Sequence, residues 1–324
     1  MERIVPALLV VVGAPAAAAA YIAAAEAMLA RAPSSRQRAI RPWLWAAPAL
    51  AFIAVFLVYP ALSTIALSFR DAAGHRWVGL ANYVFAFRSP ELLGALWNNV
   101  LWLAIFTAAT VGLGLLIAIL ADRVRYGAAC LAVVFLPMAL SFTAAGVTWK
   151  FVYEFRPAGA PQIGLLNAAA RAAIPGFLPR AWLIAPPLNT LLLIAVGVWI
   201  WTGFCAAVLF AALRSVPAEL TDAARVDGAG EARLLGQVVL PTIAPTIAVV
   251  ATTMAITSLK VFDVVYVTTN GNFGTDVVAN RMYKEMFTFQ HFGRAGALAV
   301  LLLLAAGPVM AATVRRLRAE EALR

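Results

Sequence analysis

The chain has 324 residues, 63% hydrophobic and 12% charged, with a formal net charge of +10 and a mean hydropathy of +0.88. A soluble domain has about 45–50% apolar and about 25% charged residues, so the apolar surplus belongs in lipid, and disorder, which needs low hydrophobicity and high charge, is excluded. The basic residues lie in short clusters between apolar runs, which is how a multi-pass membrane protein distributes them, and nucleic acid is not a predicted partner.

Seven apolar runs reach the roughly 20 residues that a spanning helix needs: 4–25, 43–68, 97–121, 127–152, 189–212, 243–266 and 295–314. Polar segments separate them and leave no long soluble insert. The first run is Ala-rich and followed by Arg31, so it also reads as a signal peptide with an Ala-x-Ala cleavage site. Its length exceeds the usual apolar stretch of about 7–15 residues in such peptides, and this favours a retained helix. Pro48, Pro60, Pro137 and Pro308 interrupt spans, which membrane helices tolerate where neighbours satisfy the freed carbonyls. Trp43, Trp45, Trp97 and Trp182 fall near span boundaries and suit an interfacial aromatic belt. Asn98 and Asn99 open the third span and read as helix caps.

Basic residues orient the spans. With the N-terminus outside, segments 26–42, 122–126, 213–241 and 315–324 are cytoplasmic and hold 13 arginines in 61 residues. The external loops 69–94, 154–188 and 267–293 hold 8 basic residues in 88. The density is about twofold higher inside, as the positive-inside rule requires. Cleavage of the first run would invert every later loop. With the first run retained and the N-terminus outside, seven spans leave the C-terminus cytoplasmic.

Loop 213–241 is the least hydrophobic internal stretch. Pro217 suits the first turn of a helix, with Glu219 and Asp222 near its positive end, and Ala223, Ala224 and Arg225 continue it. Gly228 and Gly230 break it and let the backbone reverse. A second short helix is predicted from Glu231 to Val239, ended by Pro241. Ala223, Ala224, Gly228 and Ala229 would let a partner's backbone approach this cytoplasmic knob closely.

Asp222-Ala223-Ala224, then Gly228, then Val238-x-Leu240-Pro241 resembles the EAA loop of permease subunits of ATP-binding-cassette importers. Asp222 departs from the usual Glu by one methylene. The fuller string, Pro217-x-Glu219-Leu220 through Asp227-Gly228-Ala229 to Leu240-Pro241, resembles the carbohydrate-importer branch. Val78-Gly79-Leu80-Ala81-Asn82-Tyr83, Ala95-Leu96-Trp97-Asn98-Asn99 and Trp199-Ile200-Trp201-Thr202-Gly203-Phe204 extend the resemblance. So does Leu259-Lys260-Val261-Phe262-Asp263 through Thr269-Asn270-Gly271. With the extra first helix and Gly274-Thr275-Asp276 through Arg281-Met282-Tyr283, the alpha-glucoside permease subgroup is the most similar.

The resemblance implies an all-α, seven-helix MetI-like permease bundle with an extra N-terminal helix, in a bacterial inner membrane. It implies an N-terminal helix and basic linker at 1–42, a second helix and external loop at 43–94, a permease core at 95–316 and a tail at 317–324. Glu219, Asp222, Ala223, Ala224, Asp227, Gly228, Ala229, Leu240 and Pro241 would couple to the ATPase. The implied partners are a second permease, two copies of an ATPase subunit, an extracytoplasmic solute-binding protein and membrane lipid. No Gly-x-x-x-x-Gly-Lys-Ser/Thr phosphate loop occurs, so no cofactor is expected on this chain and ATP would bind the partner subunits.

A cavity for a neutral sugar needs aromatic faces and hydrogen-bonding groups near mid-membrane. Trp199, Trp201 and Thr202 in the fifth span, and Ser258, Lys260, Asp263 and Tyr266 in the sixth, are the candidates. Lys260 and Asp263 fall at i, i+3 on one helix face, where ionised groups pair or face a cavity rather than lipid. An ion-gradient-driven transporter would need intramembrane carboxylates, and Asp263 is almost alone. A membrane enzyme would need clustered polar residues; His75 and His291 are far apart, and Cys130 and Cys205 sit in apolar runs as packing residues.

Overall fold

The computed structural model describes residues 4–30, 33–157 and 159–321, which form two compact units, Met1–Ala66 and Leu67–Arg324. Arg31 and the last residues of the tail, 322–324, lie outside the described residues. Nearly everything described is helical; an isolated bridge between Arg70 and Trp77 is the one β-pairing among the described residues.

Among the described residues, five helices are long and apolar enough to cross a membrane: Gln37–Ser68, Pro90–Asp122, Leu188–Arg214, Glu231–Thr268 and Phe292–Ala311. A sixth candidate, Gly127–Ala139 with Phe142–Val152, is bent by 95°. The run expected at 127–152 is therefore two half-helices. Pro137 lies in the tight turn Leu136–Ala139 that ends the first half, and Ser141 caps the second, its hydroxyl accepting the Ala144 N–H at 3.1 Å. The run expected at 4–25 lies within a helix over Ile4–Leu29.

In the first unit, Ile4–Leu29 and the helix from Ser34 are joined by polar groups. The Tyr21 hydroxyl donates to Leu44 O at 2.6 Å, and Trp45 Nε1 and Arg41 Nε donate to Glu26 Oε1 at 3.1 and 3.2 Å. Ahead of Pro60 the helix widens into a π-turn at Ala54–Val58, because proline offers no N–H and its ring crowds the carbonyl one turn earlier.

Leu188–Arg214 is the axis of the second unit. Half of its most apolar window is buried, against about a fifth for Pro90–Asp122 and for Phe292–Ala311. Lipid supplies no hydrophobic drive between helices, so small residues that permit close contact decide the packing. A Cβ on Gly114 would lie 2.5 Å from Cys205 Cβ, one on Gly197 would meet the Trp102 ring at 2.9 Å, and one on Gly203 would meet Val134 O at 2.4 Å. Cys205 and Ala206 are fully buried, and Cys130 is a half-buried free thiol.

Buried amides tie the loops down. Asn98 Nδ2 donates to Gly274 O and Asp276 O at 2.7 and 2.8 Å, and Asn99 Oδ1 accepts the Val278 N–H at 2.8 Å. The helix already begins at Pro90, so these residues bridge distant segments and are not the caps expected from the sequence. Asn189 Nδ2 donates to Phe273 O at 2.8 Å. Asn167 accepts from Trp182 Nε1 at 3.0 Å, which gives that indole a partner within the 154–188 loop. In the 70–77 turn the His75 N–H donates to Asp71 Oδ1 at 2.8 Å and holds this carboxyl below its usual range.

Gly203→Val is expected to lower the thermal unfolding midpoint in detergent, at a cost of about 1–3 kcal/mol, because its Cβ would collide with backbone at Val134 and Phe135. Gly112→Ala, where an added Cβ meets nothing within 4 Å, should leave the midpoint unchanged or raise it.

Candidate functional site

The loop after Leu188–Arg214 folds into a knob. Its first arm is the helix Ala218–Val226, with Glu219 in the first turn. Gly228 takes φ +80°, a left-handed conformation open to glycine at little cost, and the Gly228 N–H closes the turn onto Arg225 O at 3.0 Å. Arg225 spans the corner: its guanidinium reaches Asp222 Oδ1 and Glu231 Oε1, each at 3.3 Å. The second arm differs from expectation. Pro241 does not stop it; Glu231 opens a helix that passes through a π-turn at Leu235–Val239 and continues as Leu240–Leu259, with Pro241 in its first turn. A proline there loses only an N–H that the widened turn leaves free.

Glu219, Asp222, Ala223, Asp227, Gly228 and Pro241 are exposed on the knob, whereas Ala224, Ala229 and Leu240 are half-buried. Two apolar side chains not among the expected coupling residues stand beside them, Val226 at 87% and Leu220 at 47% exposure. Arg214, at the entry to the knob, pairs with Asp122 at 3.2 Å and lies 4.4 Å above the Phe210 ring, which fastens the knob to the end of Pro90–Asp122. A polar cavity of about 350 Å³ opens there, bordered by Arg123, Arg214, Thr221, Arg225 and Glu231.

A second cavity, of about 300 Å³, lies where Pro90–Asp122, Leu188–Arg214 and Glu231–Thr268 meet. It gathers Trp201, Ser258, Lys260 and Asp263, and adds Trp102, Phe106, Phe142 and Phe262. The indole N–H groups of Trp102 and Trp201 are buried and donate to no atom among the described residues. Ser258 donates back to Ala255 O at 2.7 Å, leaving its oxygen able to accept.

The expected i, i+3 pair is absent as a helical pair. The Leu240–Leu259 helix ends at Lys260, and a new helix begins at Asp263, with Phe262 at φ −144°, ψ −62° between them. Lys260 thus sits at a helix C-terminus and Asp263 at an N-terminus, where each helix dipole favours that sign of charge. Both side chains are exposed, and no ion pair joins them among the described residues. Discontinuous helices of this kind place ligand-facing backbone inside a membrane without exposing it to lipid.

Trp199 and Thr202 point elsewhere. They line an apolar hollow with Val134 and Pro137; Trp199 meets Trp149 edge-on at 5.5 Å, and Thr202 donates to Val198 O at 2.7 Å. Tyr266 adjoins the cavity through Phe262, on which it stacks at 5.1 Å. Alternate helical positions 199 and 201 look to different sides, which a mid-span label alone does not separate. Among the described residues, no group of three or more His, Cys, Asp or Glu side chains is placed to hold a metal ion.

The sequence pattern of the binding-protein-dependent transport system inner membrane component family matches residues 110–318. The chain is 49% identical over 281 residues to the osmoprotective compounds uptake permease protein GgtC of Synechocystis sp., covering 87% of this chain and 100% of that one. It is 42% identical over 277 residues to the alpha-glucoside transport system permease protein AglF of Rhizobium meliloti, covering 85% and 82%. Among solved structures, a bacterial ATP-binding-cassette transporter that imports the acidic polysaccharide alginate has a chain with the same fold. The TM-score is 0.74 at 23% identity, over 87% of this chain and 99% of that one. The chain belongs to the binding-protein-dependent inner membrane component family, and is thus a multi-pass permease of an ATP-binding-cassette importer rather than an enzyme.

Proposed function

We propose that this permease forms half of the translocation pathway for a neutral carbohydrate of the alpha-glucoside type. The observation that carries this reading is the cavity. It offers aromatic faces and one charge of each sign, a lining suited to an uncharged polyol rather than to an anion. The similarity to permeases named for osmoprotective compounds and alpha-glucosides supports it.

The second permease, completing the pathway, faces the cavity on the 95–316 core. Of two ATPase subunits, which bind the ATP, one grips this knob at Glu219, Asp222, Ala223, Ala224, Asp227, Gly228, Ala229, Leu240 and Pro241. Exposed Leu220 and Val226 beside exposed acids give the knob an apolar patch with a polar rim, a surface that suits such a partner. An extracytoplasmic solute-binding protein delivers the sugar at the opposite face. The higher density of arginine summed over 26–42, 122–126, 213–241 and 315–324 supports a cytoplasmic side for these segments, with the N-terminus outside. ATP binding and the loaded binding protein must favour the same state of the two bundles for import to be driven.

The governing experiment is uptake of labelled trehalose, sucrose or maltose by the complex reconstituted in vesicles. Uptake should require internal ATP and persist when a protonophore collapses the ion gradient; the opposite pattern would return the chain to the ion-driven class. Gly228→Asp forces a side chain into φ +80° and should abolish both transport and co-purification of the ATPase. Arg225→Ala, which opens the clamp, should weaken co-purification less, by about threefold to tenfold. Trp201→Ala should lower sugar uptake at least tenfold while the ATPase still co-purifies.

A further inference from the structure

The aromatic lining does not stop at the cavity. Phe262, on the cavity wall, stacks on Tyr266 with centroids 5.1 Å apart and planes 22° apart. Tyr266 meets Tyr283 edge-on at 5.1 Å, and Tyr283 meets Phe287 at 4.9 Å. Phe262 and Tyr283 also touch, at 5.3 Å. The row ends in exposure: Phe262 and Tyr283 are half-buried, Tyr266 is 39% exposed and Phe287 is 65% exposed. It climbs from the cavity, through Asp263–Thr268 and Val278–Tyr283, to the turn at Lys284–Thr288. That turn lies at the ends of the spans opposite to the 213–241 knob.

The mount of this row is polar. Glu285, 1% exposed, accepts from Arg281 Nε at 3.2 Å and pairs with His291 Nδ1 at 2.8 Å. Lys284 Nζ donates to Asn270 O at 2.6 Å and reaches Asp276 Oδ2 at 3.4 Å. Rings that merely faced lipid would be poorly placed beside two cations and two carboxylates. Rings that receive a solute need this fixity, because immobilising them in advance removes an ordering cost on binding. A pyranose fits both features: its axial C–H face lies flat on an aromatic ring, and its equatorial hydroxyls reach the polar rim, including the hydroxyls of Tyr266 and Tyr283.

We propose that Phe262, Tyr266, Tyr283 and Phe287 form a stacking track that hands pyranose rings from the outer face of the permease to the cavity. This rests on the carbohydrate reading above and adds a route to it. Tyr266, singled out in the sequence as a cavity residue, becomes a step of the track, and Phe287 its mouth.

The test uses the complete transporter, with partner permease, ATPases and binding protein, in proteoliposomes. Labelled maltose uptake and ATP hydrolysis are measured together for the wild type, Tyr266→Leu, Phe287→Leu and Phe287→Trp. Leucine keeps apolar bulk but has no aromatic face. Each leucine variant should lower uptake about threefold to tenfold, while hydrolysis stimulated by the loaded binding protein is retained, so that less sugar enters per ATP. Phe287→Trp should restore uptake. Two results would overturn the track: leucine variants that import sugar like the wild type, or a parallel loss of uptake and hydrolysis, which marks a structural role. Either result leaves wild-type uptake, and with it the carbohydrate reading, intact. If the wild type hydrolyses ATP with its binding protein present yet imports none of maltose, sucrose or trehalose, the carbohydrate reading fails and takes the track with it.

Discussion

Close approach of backbones along Leu188–Arg214 is the constraint on which the rest of the second unit depends. In lipid, apolar side chains gain nothing by leaving their solvent for one another, so helices associate where their surfaces fit. Gly197 and Gly203 on this helix, and Gly114 opposite it, remove the side chains that would hold neighbours apart. The gap at Gly197 is filled by the Trp102 and Phe106 rings, and that at Gly203 by the backbone of 134–135. The same aromatic rings then wall the cavity. Packing and site are built from one set of contacts, and a change in helix separation is also a change in cavity shape.

Irregular backbone is confined to places where polar groups can receive it. The break between Lys260 and Asp263 opens on the cavity, and the turns at Asn270–Asp276 are stitched by Asn98, Asn189 and Lys284. Asn270 and Phe273 take positive φ in this segment, a conformation that costs energy for residues with a Cβ and persists where surrounding bonds determine it. The amides provide those bonds, and they keep the aromatic residues that follow in a fixed relation to the spans.

The spans were legible in the sequence because the bilayer imposes composition directly: six of the seven apolar runs coincide with the long or bent helices, and the other lies in Ile4–Leu29. The knob was legible because glycine and proline act locally, and Gly228 turns the chain as read. Pro241 misled for the same local reason, since a proline can end one helix or sit in the first turn of the next. The Asn98 bridge to Gly274 joins residues 176 apart, and no local rule announces such a partner. The break at 260–262 contains neither proline nor glycine, so the apolar run gave no sign of it. The division of Trp199 from Trp201 depends on which helices flank each face, which is tertiary information.

The continuity of the helix from Glu231 to Leu259 has a mechanical meaning. Knob and cavity wall are opposite ends of one beam, about 44 Å long at the rise of an α-helix. A push at Glu231 reaches Lys260 as rotation of that beam, without a relay of side-chain rearrangements. How much of the stroke arrives is set by the beam's bending stiffness, and Pro241 and Pro245, each lacking a backbone donor, are its compliant points.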